Sequence, residues 1–201
     1  MAAYNAAVKN LCVFCGSTPG ARPSYAAAAS RLGGLLAQRD IGLVYGGGNV
    51  GLMGVVADAV LAGGGRVLGV IPHFLAAKEL AHAGATEMRV VGSMHERKAA
   101  MAANADAFVA LPGGFGTMEE LFEVLTWGQL GLHAKPVGLL DVEGFYASLV
   151  AFLDHAAAER LLKPEHRALL LVDTDPERLV DRLAAWKPVT VDKWLETAEQ
   201  T

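Results

Sequence analysis

The chain has 201 residues, 53% of them apolar and 19% charged, which fits one domain of ordinary globular size with a sizeable core. A formal net charge of -4, with no basic run longer than Arg97-Lys98, excludes broad electrostatic binding to nucleic acid. Every apolar stretch is cut by Gly, Pro or a charge before the roughly 18 to 20 residues of a membrane-spanning helix, and residues 11–15 are too short for a secretory h-region, so a cytoplasmic protein without membrane contact is expected.

Taken along the chain, short apolar runs at 11–14, 41–45, 67–71, 88–91, 107–111, 137–140 and 169–172 read as strands. Helix-period segments at 24–39, 52–61, 94–103, 117–130, 145–158 and 176–186 fall between them. Strand and helix in alternation, with near-continuous apolar strands, predict a doubly wound, Rossmann-like α/β domain whose parallel sheet is covered on both faces. Residues 76–84 form the one long connection with weak patterning, the kind of segment that often covers a ligand crevice.

Cys12 and Cys15 make a Cys-x-x-Cys, but residues three apart on a strand face opposite ways, and no second Cys or His pair stands at zinc-ligand spacing. Cys12 reads as a core residue, and Cys15 sits at the strand end beside a small-residue turn. His95-Glu96-Arg97-Lys98-Ala99 lacks the second His of a zinc-protease helix, and His73, His82, His133, His155 and His166 are scattered as surface or satisfied core residues. No metal site is expected.

Three strands end in turns of small residues: Cys15-Gly16-Ser17, Gly46-Gly47-Gly48-Asn49-Val50-Gly51 and Pro112-Gly113-Gly114-Phe115-Gly116-Thr117. The last two run into helices, so backbone N–H groups and helix dipoles point at one crevice at the strand C-termini, a site for an anion. Gly46, Gly48 and Gly51 match G-x-G-x-x-G, yet the next strand ends in Pro72-His73, without the acidic residue that would hold a cofactor ribose. A nicotinamide or flavin cofactor is therefore not expected. Ser93-Met94-His95-Glu96 is a capping box that puts Arg97 and Lys98 in the second turn of a helix, with at least one of them expected to lean inward. Glu120 should lie at the edge of the buried face of its helix, kept ionised by an Arg and the helix N-terminus, with Glu123 on the exposed side.

The segment Pro112-Gly113-Gly114-Phe115-Gly116-Thr117-Met118-Glu119-Glu120 resembles the PGGxGTxxE signature of the Lonely Guy family. Residues 13–17, 45–54, 94–98, 126–131 and 135–138 agree in the family's order, so the resemblance spans about residues 11 to 186. It implies a cytokinin riboside 5'-monophosphate phosphoribohydrolase, which cleaves the N-glycosidic bond of an N6-substituted AMP into free base and ribose 5-phosphate. It further implies that Glu79, Arg97, Lys98, the stretch Gly114, Phe115, Gly116, Thr117, Met118, Glu119 and Glu120, and Thr126 contact the nucleotide, with Arg97 and Glu120 as the catalytic pair. No cofactor is implied. The lysine decarboxylase label many such proteins carry would require a pyridoxal phosphate lysine, and no lysine here stands in a motif for one. A homodimer is expected from the resemblance and from the apolar end of the helix at residues 127–132. Two other readings share the same glycine turns: a non-catalytic carrier of a phosphorylated ligand, as in molybdenum-cofactor carriers, and a general AMP nucleosidase.

Overall fold

A computed structural model describes residues 8–76 and 81–188. Among these, seven strands form one parallel sheet: β1 (Asn10–Phe14), β2 (Gly42–Tyr45), β3 (Val67–Pro72), β4 (Glu87–Val91), β5 (Ala107–Ala110), β6 (Val137–Leu140) and β7 (Leu170–Asp173). Their order is β4-β3-β2-β1-β5-β6-β7, so the chain winds outward from β1 in one direction and then, from β5, in the other. The crevice where the winding reverses, above the C-terminal ends of β1 and β5, is where open α/β sheets take ligands.

The helices are α1 (Pro23–Gln38), α2 (Gly51–Ala62), α3 (His73–Ala76), α4 (Met94–Ala103), α5 (Phe115–Gln129), α6 (Ala147–Ala158), α7 (Pro164–Arg167) and α8 (Pro176–Ala184). The period-two alternation of β1 divides the core into two layers. Leu11, Val13 and Cys15 pack with Leu32 and Leu36 of α1, Val56 and Val60 of α2 and Leu179 and Leu183 of α8. Cys12 and Phe14 face Met101 of α4, Leu121 and Val124 of α5 and Leu153 of α6. The two cysteines therefore lie on opposite faces as free thiols, and burial raises the pKa of both. Among the described residues no helix is long and apolar enough to cross a membrane.

All the expected strands and long helices form, with ends within about two residues of the sequence reading. The differences have local causes. α6 begins later than expected because Asp141 Oδ1 accepts the Tyr146 N–H at 2.7 Å and Glu143 adopts a left-handed φ of 51°, closing a 3₁₀ turn at Val142–Gly144 first. α5 begins earlier, at Phe115, with Gly114 as its N-cap. The periodicity of the sequence predicts neither α3 nor α7; each is a single turn of four residues, too short for a periodic signal.

Candidate active site

Backbone hydrogen bonds bring the three small-residue turns together. The Gly16 N–H donates to the Pro112 carbonyl at 3.0 Å, and the Gly16 carbonyl accepts from the Leu52 N–H at 3.0 Å, so the turn after β1 is stitched to both other turns. Gly113 permits this approach: a Cβ there would collide with the Thr117 side chain and press on the Gly16 nitrogen. Gly114 and Gly116 are different, because a Cβ on either would meet nothing within 4 Å. Packing does not demand glycine at these two positions, and the open space lies over an α5 N-terminus that no side chain caps. The start of α2, after the second glycine turn, is uncapped in the same way, whereas Ser93 and Asp175 cap α4 and α8. Uncapped N–H groups under open space suit an anion. A cavity of ≈ 120 Å³ runs between the turns, walled by Gly16, Gly113, Leu52, Tyr25 and Phe145. Ser17 is exposed beside it, Thr117 and Met118 turn inward, and Phe115 projects with 96% of its surface exposed.

Beside the turns, α4 delivers Arg97. The Ser93 hydroxyl accepts the Glu96 N–H at 3.1 Å as the capping box requires, while Glu96 bonds back to the Gly92 N–H at 2.7 Å rather than to Ser93. Arg97 then crosses the C-terminal end of β3. Its Nε donates to the Val70 carbonyl at 3.2 Å, Nη2 to the Gly46 carbonyl at 3.4 Å and Nη1 to Glu120 Oε1 at 3.1 Å. Gly46 has a use the sequence did not reveal: any side chain there would occupy the position of the Arg97 guanidinium. The second glycine turn is thus the seat of Arg97 as well as a strand-to-helix turn.

Arg97 and Glu120 each keep 11% of their side-chain surface exposed. Burial raises the Glu120 carboxyl above the ordinary carboxylate range, and the charge of Arg97 offsets this only in part. Desolvation of a nearly enclosed carboxyl is thus a third influence on Glu120, opposed to that of Arg97.

Glu123 also departs from expectation. It is not a solvated bystander, since Lys98 Nζ donates to Glu123 Oε1 at 2.8 Å and to Glu119 Oε1 at 2.6 Å. Glu119 and Glu123 are four residues apart and share a helix face, the spacing that would have flagged a common cation. Both basic side chains of α4 therefore lean inward, and both engage α5 carboxylates. Thr126 does not join this group. Its hydroxyl donates to the Phe122 carbonyl at 2.7 Å, and the residue lines a separate cavity with Leu153 and Leu162. Glu79 lies outside the described residues.

The family model described as "Possible lysine decarboxylase" matches residues 53–183. A pyridoxal phosphate group, which that description implies, does not fit the described residues. Lys98 is committed to two carboxylates, and Lys135 Nζ donates to the Ala102 carbonyl at 2.7 Å, so neither offers a free amine to the glycine turns.

Among solved structures, the chain superposes on the molybdenum cofactor binding protein of the phototrophic bacterium Rippkaea orientalis with a TM-score of 0.68 at 22% identity, covering 88% of this chain and 95% of that one. The molybdenum cofactor carrier protein of Chlamydomonas reinhardtii gives 0.67 at 22%, covering 88% and 98%. At that identity the likeness establishes a shared fold. Sequence relatives are nearer. A probable cytokinin riboside 5'-monophosphate phosphoribohydrolase of Oryza sativa subsp. japonica is 55% identical over 181 residues, which is 90% of this chain and 80% of the relative. A cytokinin riboside 5'-monophosphate phosphoribohydrolase of Arabidopsis thaliana is 52% identical over 180 residues, 90% of this chain and 83% of that protein. With half of its residues shared over nine-tenths of its length, the chain belongs to the Lonely Guy family of cytokinin riboside 5'-monophosphate phosphoribohydrolases.

Proposed function

We propose that this protein hydrolyses the N-glycosidic bond of an N6-substituted adenosine 5'-monophosphate, releasing the free base and ribose 5-phosphate. The named activity of relatives at about half identity supports the reaction class. The observation that carries the reading to this chain is the Arg97–Glu120 pair, nearly enclosed beside an uncapped helix start. In this reading the open N–H groups of α5, below Gly114 and Gly116, hold the 5'-phosphate. Cleavage of a purine ribosyl bond builds positive charge on C1' and its ring oxygen, and the ionised Glu120 faces that charge while accepting a proton from the attacking water. Its raised pKa brings the carboxyl closer to the operating pH, where a general base is most effective. Arg97 fixes the carboxylate and is itself fixed by the Val70 and Gly46 carbonyls. Lys98, held by Glu119 and Glu123, sets the rim of the site.

The Arg97–Glu120 pair, placed beside the glycine turns, favours the enzymatic reading over the carrier one. We further infer that two copies associate through α4 and α5. Between these helices a cavity of ≈ 490 Å³ stands open, its walls mostly apolar through Ala99, Phe108, Trp127 and Leu132, with Lys98, Glu123 and Lys135 also lining it. The free cysteines suit the reducing cytoplasm, which is the location this reading assigns.

The test is release of ribose 5-phosphate from isopentenyladenosine 5'-monophosphate, AMP and isopentenyladenosine. Turnover of the substituted monophosphate, with the nucleoside nearly inert, is expected, because phosphate binding energy is realised at the transition state. Equal kcat/KM for AMP and its substituted form assigns a general AMP nucleosidase instead, and no turnover of any of them overturns the enzymatic reading.

A further inference from the structure

We propose that His82 is a positioning residue, the latch that holds the turn on which Arg97 is seated; its kinetic consequence rests on the hydrolytic reading above. His82 lies within the β3–β4 connection, far in sequence from every glycine turn, and only 7% of it is exposed. A bland core histidine would satisfy its ring and stop there. His82 commits its backbone as well, and commits it to the site. Its N–H donates to the Gly47 carbonyl at 2.9 Å, while the preceding residue, Ala81, forms an antiparallel bridge with Gly48. The adjacent carbonyl, that of Gly46, is the one that accepts from Arg97 Nη2.

The ring makes this docking rigid. Nδ1 accepts the Gly84 N–H at 3.1 Å, so the ring proton sits on Nε2, which lies 3.1 Å from Asp58 Oδ1 on α2 and donates to it. The Ala85 N–H closes the turn onto the His82 carbonyl at 3.3 Å. A continuous path of hydrogen bonds and peptide links therefore runs from Asp58 through His82, Gly47 and Gly46 to Arg97 and Glu120. Removing the imidazole leaves the Gly84 N–H without its partner and breaks the bond from His82 to Asp58 of α2. The Gly47 carbonyl then loses a fixed donor, and the seat of Arg97 moves with it.

Two measurements test this on the full chain, using His82→Ala and His82→Asn, whose amide oxygen replaces Nδ1 at the Gly84 N–H. First, amide hydrogen exchange across residues 46–48 should quicken about tenfold in His82→Ala and return toward wild type in His82→Asn. Unchanged exchange there overturns the latch whatever the activity. Second, kcat on isopentenyladenosine 5'-monophosphate should fall about tenfold in His82→Ala with the melting transition still cooperative, recover in part in His82→Asn, which lacks the bond to Asp58, and fall no further when Arg97→Ala is already present. The same fold-loss on both backgrounds marks a merely structural role and overturns the positioning one. A wild type without turnover overturns the hydrolytic reading and the kinetic role of His82 with it, while the latch itself stands or falls on exchange.

Discussion

Arg97 Nη1 meets Glu120 Oε1 at 3.1 Å, joining the second turn of α4 to the second turn of α5 across the mouth of the glycine turns. Because Arg97 has two further bonds to main-chain carbonyls, the carboxylate is fixed from a rigid base. Glu120→Gln keeps shape and an acceptor for Arg97 but removes the charge facing the sugar cation. Loss of one preorganised electrostatic group costs about 2–4 kcal/mol at the transition state, so kcat should fall roughly 30- to 1000-fold. Arg97→Ala should lose a similar factor, and the double variant should be little worse than the poorer single one, since the two act as a unit. Steady-state rates with a thermal melt for each variant check this. Retention of more than about a third of wild-type kcat by Glu120→Gln would remove the assignment.

The pH dependence follows from the same burial. The Glu120 carboxyl titrates above the ordinary carboxylate range because desolvation outweighs Arg97. If the ionised form works, the acid limb of the kcat profile lies above the roughly 4.3 of a free glutamate. Stability has the opposite sign. The native state binds this proton more tightly than the unfolded chain does, so the contribution is full below the unfolded pKa and is lost as pH rises through the folded one. Wild type should therefore lose stability relative to Glu120→Gln as pH rises through that window, as denaturant titrations across the weakly acidic range would reveal. A parallel pair of stability profiles would refute it.

The sheet and its helices were legible because each rests on a local pattern: β1 alternates between two core layers, and α8 begins with a cap and a proline, Asp175-Pro176. The glycine turns were legible for the same reason. What pattern cannot carry is a contact between segments distant in sequence. Gly46 reads as one more turn glycine until Arg97 is seen lying on it, and Glu123 reads as solvated until Lys98 is found bridging it to Glu119. For Glu120 the cationic neighbour is visible in a motif, whereas the burial that raises its pKa is a property of the assembled fold.

Association of two copies makes a further prediction. Trp127, Ala99 and Ala102 line the open cavity between α4 and α5, and covering it removes apolar surface from water. Sedimentation should give a species of twice 21.0 kDa at micromolar concentration. Ala99→Glu, which places a charge in that cavity, should yield folded monomers; a monomeric wild type with full activity would discard the pairing.

The two kinds of glycine at the site give predictions of opposite character. Gly46→Ala puts a methyl group where the Arg97 guanidinium lies. The tip of an arginine is flexible, so it can swing away at a stability cost within the ~1–3 kcal/mol usual for overpacking, but it then leaves Glu120. Turnover should fall as far as in Arg97→Ala, and combining the two changes should add little. Gly116 sits in the first turn of α5 with open space above it, so Gly116→Ala introduces no clash and replaces a poor helix former. The melting temperature should hold or rise, in line with the up to ~1 kcal/mol by which alanine exceeds glycine in a helix. The added methyl nevertheless stands over the N–H groups proposed to hold the phosphate, so KM for the monophosphate should increase about tenfold or more while the slow cleavage of the nucleoside is untouched. A Gly116→Ala protein with unaltered preference for the monophosphate would move the phosphate away from α5 and leave Gly116 a glycine without a function in binding.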